Sequence, residues 1–179
     1  MERSEHPTLS GTATPPRAEK PRPAETADAK AETVAAACAA ILAERGAIVA
    51  LGFLNARTRF RFTGLYTPEP PLLRNLLLYD RENPTVNVSG AAAPLDETFC
   101  AIVCAKGEPF GTPDSHADSR LVPNAGRDVV MSYCGVPVRS ASGSVRGTLC
   151  HFDFRPRLLE PAESAVLVEA AAVFRECFA

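Results

Sequence analysis

Ser132-Tyr133-Cys134-Gly135-Val136-Pro137-Val138-Arg139 and Gly147-Thr148-Leu149-Cys150-His151-Phe152-Asp153 flank a short polar link, and their reading decides the fold. Both runs are rich in β-branched and aromatic residues, and the link at Ser140–Gly143 has the small, polar composition of a turn. Together they predict an antiparallel hairpin with strands over Val129–Arg139 and Ser144–Phe154. Side chains alternate along a strand, so Leu149, His151 and Asp153 share one face and Cys150 takes the other. Pro137 lacks a backbone donor, which suggests an edge or a bulge at that point.

Working outward from this hairpin, the pattern changes period several times. Arg59-Phe60-Arg61-Phe62-Thr63 alternates rings with polar groups and predicts a half-buried strand with both rings on one side. Thr67-Pro68-Glu69-Pro70-Pro71 breaks the chain, and Leu72–Tyr79 resumes as a more fully buried strand, giving a second hairpin. Asp80–Leu95 reads as loop, with one short extended piece near Thr85–Val88. Asp96 is placed to cap a short helix over Glu97–Ala105, closed by Gly107. Glu108–Gly111 predicts a brief strand leading into the polar stretch Asp114–Arg120.

Three further segments are helical. From Asp28, Val34, Cys38, Ile41 and Leu42 form one stripe, and Gly46 stops it. A second piece covers Ala47–Ala56. The last is opened by Pro161 at its first position, with Leu167, Ala170, Ala171, Phe174 and Phe178 on its apolar face. Helix, hairpin, helix, hairpin, helix is an α+β order built on an antiparallel sheet. The terminal helices are expected to pack together on one sheet face, leaving the other to loops and the short middle helix, where a ligand can sit.

Composition bounds the function. The chain has 179 residues, 46% hydrophobic and 22% charged, with net charge −2, which fits one globular domain. That balance gives no electrostatic footprint for nucleic acid and no polybasic patch for a membrane surface. No apolar run reaches bilayer length, and the first residues lack the apolar core of a secretory signal. Residues 1–27 hold five of the sixteen prolines and one large apolar residue, so a disordered tail is expected there, with the folded domain over 28–179. The six cysteines include no CxxC pair, which speaks against a zinc ribbon or a thioredoxin site; a cytoplasmic setting with reduced thiols is the expectation.

From about Ala31 to the C-terminus the chain resembles a GAF domain, the small-molecule sensor module of signalling proteins. The resemblance is carried by Pro94-Leu95-Asp96-Glu97-Thr98-Phe99-Cys100, by Asp114-Ser115-His116-Ala117-Asp118-Ser119-Arg120, and most strongly by the hairpin quoted first. It implies a six-stranded antiparallel sheet between helices, a ligand pocket on one sheet face, and a homodimer formed through the terminal helices. No kinase, cyclase or DNA-binding segment accompanies it here, so output would pass through a protein partner or a change in the dimer. Gly147–His151 with Pro156-Arg157 is also similar to a stretch that contacts the chromophore in bilin-binding GAF domains, although no cysteine attachment motif stands upstream.

Several residues compete for the site. Phe99, Cys100, Asp114, Asp118, Arg120, Tyr133 and His151 are the expected pocket residues, with Asp114, Arg120 and His151 orienting a polar ligand and Phe99 and Tyr133 walling it. Each has a plainer role. The Asp114–Arg120 cluster can simply fix its loop, Tyr133 and Cys150 can be core, and His151 can bond a backbone carbonyl. Arg59, Arg61 and Arg74 are expected at a solvated strand edge. Cys100 and Cys104 lie one helical turn apart and have the chemistry of a redox pair or, with Cys134 and His151, of a metal site. Cys100 also falls near the reactive cysteine of the free methionine-R-sulfoxide reductases, which resemble GAF domains, but that family's companion cysteines have no counterpart. A small-molecule sensor is thus the first expectation; a Cys100-centred thiol reductase and a ligand-free dimerisation module are its alternatives. Neither a cofactor nor a ligand is identified, and cyclic nucleotides, haem, amino-acid derivatives and aromatic acids all stay open.

Overall fold

Residues 23–86 and 89–178 are described by the computed structural model. The strands are β1 (Phe62–Glu69), β2 (Leu72–Asp80), β3 (Ala92–Pro94), β4 (Phe110–Thr112), β5 (Ser132–Arg139) and β6 (Val145–Asp153). They form one antiparallel sheet in the order β3-β2-β1-β6-β5-β4. The helices are α1 (Pro23–Arg45), α2 (Ala47–Asn55), α3 (Phe99–Lys106) and α4 (Pro161–Ala171), the last continued by a 3-10 stretch over Ala172–Phe178. No helix among the described residues is long and apolar enough to cross a membrane.

The sheet separates two apolar layers. On one face α1 packs against α4 and α2, and Leu51, Leu54, Leu65, Val136, Val138, Leu149, Leu167 and Phe174 are buried between helices and strands. Each such side chain contributes about 1.5–3 kcal/mol on leaving water. Gly46 lets the chain turn between α1 and α2 with a φ of 86°, a conformation that a side chain would resist. Arg57 of the segment after α2 forms a paired hydrogen bond with Glu163 of α4, at 3.1 and 2.9 Å. On the opposite face α3 lies over β5 and β6, and Leu73, Phe99, Val103, Phe110, Leu121 and Tyr133 form a smaller core.

The two hairpins, the middle helix and the terminal helices match the sequence reading. Pro137 does too: β4 pairs only with Tyr133–Gly135, so the strand beside Pro137 has no neighbour on that side, and a bulge follows at Val138/Arg139.

Other expectations are corrected. α1 starts at Pro23, within the stretch read as a tail; proline suits a first turn, where its absent N–H has no carbonyl to meet. Residues 1–22 lie outside the described residues. Phe60 and Phe62 do not share a face. The chain bends at Arg61, whose N–H donates to Asp153 at 3.0 Å, so Phe60 joins the helical layer while Phe62 stacks on Phe152 at 4.7 Å. Arg61 is no solvated edge residue either: its guanidinium grips Asp80 through two bonds of 2.8 Å. β1 runs on through Thr67-Pro68-Glu69, and the break falls at Pro70-Pro71.

Between β2 and α3 the differences are local. Pro84-Thr85 form a turn where an extended piece was expected, residues 87–88 lie outside the described set, and the unanticipated strand is β3. Asp96 sits in a 3-10 turn over Leu95–Glu97. Thr98, whose Oγ1 accepts from Ala101 at 3.3 Å, caps α3 instead, and Gly107 closes it as expected.

Candidate functional site

The face of the sheet away from α1, α2 and α4 holds a cavity of about 480 Å³. Its floor is Tyr66, Leu73, Asn75, Leu78, Tyr133, Cys150 and Phe152, brought together by the period of two along β1, β2, β5 and β6. Ala91–Ala93 form one wall, Glu97–Cys100 at the start of α3 another, and Ala125, Gly126, Val129 and Val130 the third. The Ala91 carbonyl accepts from the Asn75 N–H, and Gly90 donates back to Asn75, each at 2.8 Å, so the alanine wall is tied to β2.

Among the described residues the lining contains no lysine, arginine or histidine, and its one charged residue, Glu97, is exposed at the rim. Its polar groups are few. Asn75 is buried; its amide nitrogen donates to the Leu77 carbonyl at 3.2 Å, and its Oδ1 has no partner among the described residues. A buried carbonyl oxygen without a donor costs about 1–3 kcal/mol, so this atom is poised for a ligand's N–H or O–H. Burial pushes the neighbouring Tyr66 phenol well above its ordinary pKa, with further pressure from Cys150 and Cys100, while a hydrogen bond from Asn75 opposes it.

Two thiols stand side by side in the lining. Cys100, in the first turn of α3, has its Sγ 3.3 Å from the Tyr133 hydroxyl and accepts from Thr148 Oγ1 at 3.2 Å. The Cys150 side chain, from the middle of β6, belongs to the same buried cluster and lines the same cavity. The nearby Cys150 side chain does most to pull the Cys100 thiol below its ordinary pKa; burial opposes it, and the two hydroxyls reinforce it. Burial, with the Cys100 sulfur beside it, drives the Cys150 thiol well up. Gly135 makes this geometry possible. The Tyr133 phenol lies where a Gly135 Cβ would be, so the ring can run flat along β5 and place its hydroxyl at Cys100.

Of the seven expected pocket residues, Phe99, Cys100 and Tyr133 line the cavity, and Asp114, Asp118, Arg120 and His151 do not. Asp114 Oδ1 accepts from the His116 N–H at 3.0 Å and shapes its loop. Asp118 caps the turn at Ser119–Leu121 and pairs with Arg120, whose guanidinium also donates to the Gly111 carbonyl and covers the Phe110 ring at 4.8 Å. The Arg120 hydrogen bond is the main reason that the Asp118 carboxyl titrates near 2.

His151 faces the helical layer. Its Nδ1 is 2.7 Å from Thr63 Oγ1, its ring stacks on Phe60 at 5.8 Å, and burial, with Arg81 nearby, holds its pKa down at about 3. Cys134 lies on that side as well, bonded to Ser164 at 3.4 Å. The sheet therefore divides the set Cys100, Cys104, Cys134 and His151, and no group of three or more metal-ligating side chains stands together among the described residues.

Sequence reasoning missed Tyr66, Leu73, Asn75, Leu78, Val129, Val130 and Phe152. Two signals were available: the one amide inside the apolar run Leu72–Tyr79, and the alternation that puts Cys150 and Phe152 opposite His151.

No family model and no curated protein matches the chain. Solved structures do. The GAF domain of an Acinetobacter phosphoenolpyruvate-protein phosphotransferase matches with a TM-score of 0.63 and 14% identity over 82% of this chain and 90% of that one. The free methionine-R-sulfoxide reductase of Neisseria meningitidis, solved with its substrate, matches at 0.61 and 16% over 84% and 89%. The nlh2 GAF domain of A. aeolicus matches at 0.56 and 15% over 85% and 97%. At such identities the likeness is one of fold.

Proposed function

Taking the GAF fold of this chain as the premise, we propose that it is a sensor domain whose cavity takes a small, uncharged and largely apolar molecule. The observation that carries this is the unpartnered Asn75 Oδ1 at the floor of an otherwise apolar cavity of about 480 Å³, a volume within the range of small-molecule sites. A cyclic nucleotide would bring a phosphate to a lining with no cation. A free amino-acid sulfoxide would bring a carboxylate to the same lining, so the geometry favours the sensor over a reductase for that substrate. Output would pass through the outward faces of α1 and α4, to a second copy or a protein partner. The proposed setting is the cytoplasm, where the thiols stay reduced.

Binding of N-phenyl-1-naphthylamine, a neutral fluorophore that brightens on leaving water, tests the reading. Saturable enhancement is expected with the wild-type chain. It should weaken at least about tenfold in Ala93→Trp, which fills the cavity from the exposed wall. No saturable signal from this probe or from naphthalene would remove the sensor reading and leave the dimerisation module standing.

A further inference from the structure

Cys100 and Cys150 belong to different elements, share one buried cluster, and both line the cavity, while each is at most 4% exposed to bulk solvent. Nothing about a packing role requires this arrangement. A small hydrophobe at either position would fill the same space without gathering a second thiol and the hydroxyls of Thr148 and Tyr133 around one sulfur. Those hydroxyls, together with the Cys150 thiol, are the environment that favours a thiolate. The other four cysteines lack it. Cys38 and Cys104 are pushed up to about 11 by burial, and burial also raises Cys134 and Cys177.

We propose that Cys100 and Cys150 are a two-electron redox couple, oxidised to a disulfide by an organic hydroperoxide with an apolar body that enters the cavity. A pair of adjoining thiols points to oxidation, because capture of an electrophile needs only one. The cavity onto which both cysteines open has an apolar lining, and that lining selects the oxidant's body. Cys100 Sγ attacks the terminal peroxide oxygen; the S–O bond forms, the O–O bond breaks, and the alkoxide leaves as the alcohol with the proton given up by the thiol. Cys150 then attacks the Cys100 sulfur. The S–O bond breaks, and hydroxide departs as water with the Cys150 proton. Two thiols and one hydroperoxide thus become a disulfide, an alcohol and water, and a cellular thiol reverses the change by exchange. The inference rests on the reading that the cavity admits small apolar molecules.

The test treats the reduced, full-length protein with one equivalent of cumene hydroperoxide, unfolds it in urea with N-ethylmaleimide to block every free thiol, and maps the digest by mass spectrometry. A disulfide joining the Cys100 and Cys150 segments is expected, with the other four cysteines labelled and Cys104→Ser behaving as wild type. Cys150→Ser should stop at a sulfenic acid on Cys100, trapped by dimedone, and Cys100→Ser should form no linkage. Hydrogen peroxide should react at least about tenfold more slowly than cumene hydroperoxide. Thr148→Val, which keeps both thiols, should slow the reaction by a similar factor without changing the product. Full labelling of all six cysteines after peroxide overturns the couple, as does a linkage through any other cysteine; hydrogen peroxide reacting equally fast overturns the oxidant class. Saturable binding of N-phenyl-1-naphthylamine without a disulfide defeats the couple alone, and loss of both defeats the cavity reading with it. The wild-type map decides the matter even where a cysteine variant fails to fold.

Discussion

His151 makes acid stability measurable at a single side chain. Asn55 Nδ2 donates to Thr63 Oγ1 at 2.9 Å, so the Thr63 hydroxyl proton is directed at His151 Nδ1, 2.7 Å away, and the imidazole is neutral with its proton on Nε2. Burial and Arg81 lower its pKa from 6.5 to about 3. The sign follows from proton uptake. Between those values the unfolded chain binds a proton that the folded chain refuses, so stability falls as pH is lowered through the window. The slope is about 1.4 kcal/mol per pH unit, and between pH 7 and 4.5 the loss amounts to about 2.5 kcal/mol. His151→Gln keeps an acceptor for Thr63 and removes the titration. Urea unfolding of both proteins at the two pH values isolates the effect, because carboxylates common to both cancel in the difference. Wild type should lose about 2.5 kcal/mol more than the variant. Equal losses would mean that the folded protein accepts the proton, and the argument from burial would be wrong.

Three further outcomes are expected. Asn75→Leu removes the unpartnered oxygen at little cost in volume, so urea stability should stay within about 1 kcal/mol of wild type, while affinity for 1-naphthol relative to naphthalene falls about tenfold. Gly135→Ala puts a methyl group where the Tyr133 phenol lies; a loss of about 1–3 kcal/mol is expected in urea, together with faster labelling of Cys100 by N-ethylmaleimide as the hydroxyl is displaced. Asp80, held at a pKa of about 2 chiefly by its hydrogen bond from Arg61, contributes stability that is complete above its ordinary value of 3.8 and lost as pH falls through 2. Asp80→Asn should therefore cost about 1–2 kcal/mol at pH 7, after allowing for partial exposure of the pair, and the gap should close on acidification in that window.

The hairpins and terminal helices were legible because each buries one face, and burial imposes a period that survives in the residue order. Leu149/His151/Asp153 against Cys150 is a clear case. The alternation at Phe60 and Phe62 misled for the same reason in reverse: a bend at Arg61, stabilised by Asp153 from β6 and Asp80 from β2, places the rings on opposite faces, and neither carboxylate is near in sequence. Thr98 and Asp96 are both competent caps, and the 3-10 turn that chooses between them is tertiary. The cavity was half legible. Phe99, Cys100 and Tyr133 belong to it because the middle helix must cover the sheet, whereas Asn75, Leu73 and Leu78 enter through the pairing of β2 with β1, and Ala91–Ala93 through a strand too short to carry a pattern. Asp118 and Arg120 are the opposite case: conspicuous as charges, yet occupied with each other and with Gly111.

One peptide bond separates Cys150 from His151, and the sheet between their two surroundings is a single strand thick. A solute in the cavity can press on the first residue, and only the helical layer can press on the second. Close-packed interiors yield little, so any displacement of β6 by such a solute would have to be taken up at Thr63 and Phe60, which meet His151 on the far side. Asn55 ties Thr63 to α2, and Arg57, two residues further on, ties that end of the helix to α4 through Glu163. The partition that keeps the two compartments chemically apart is also the one element that both of them touch.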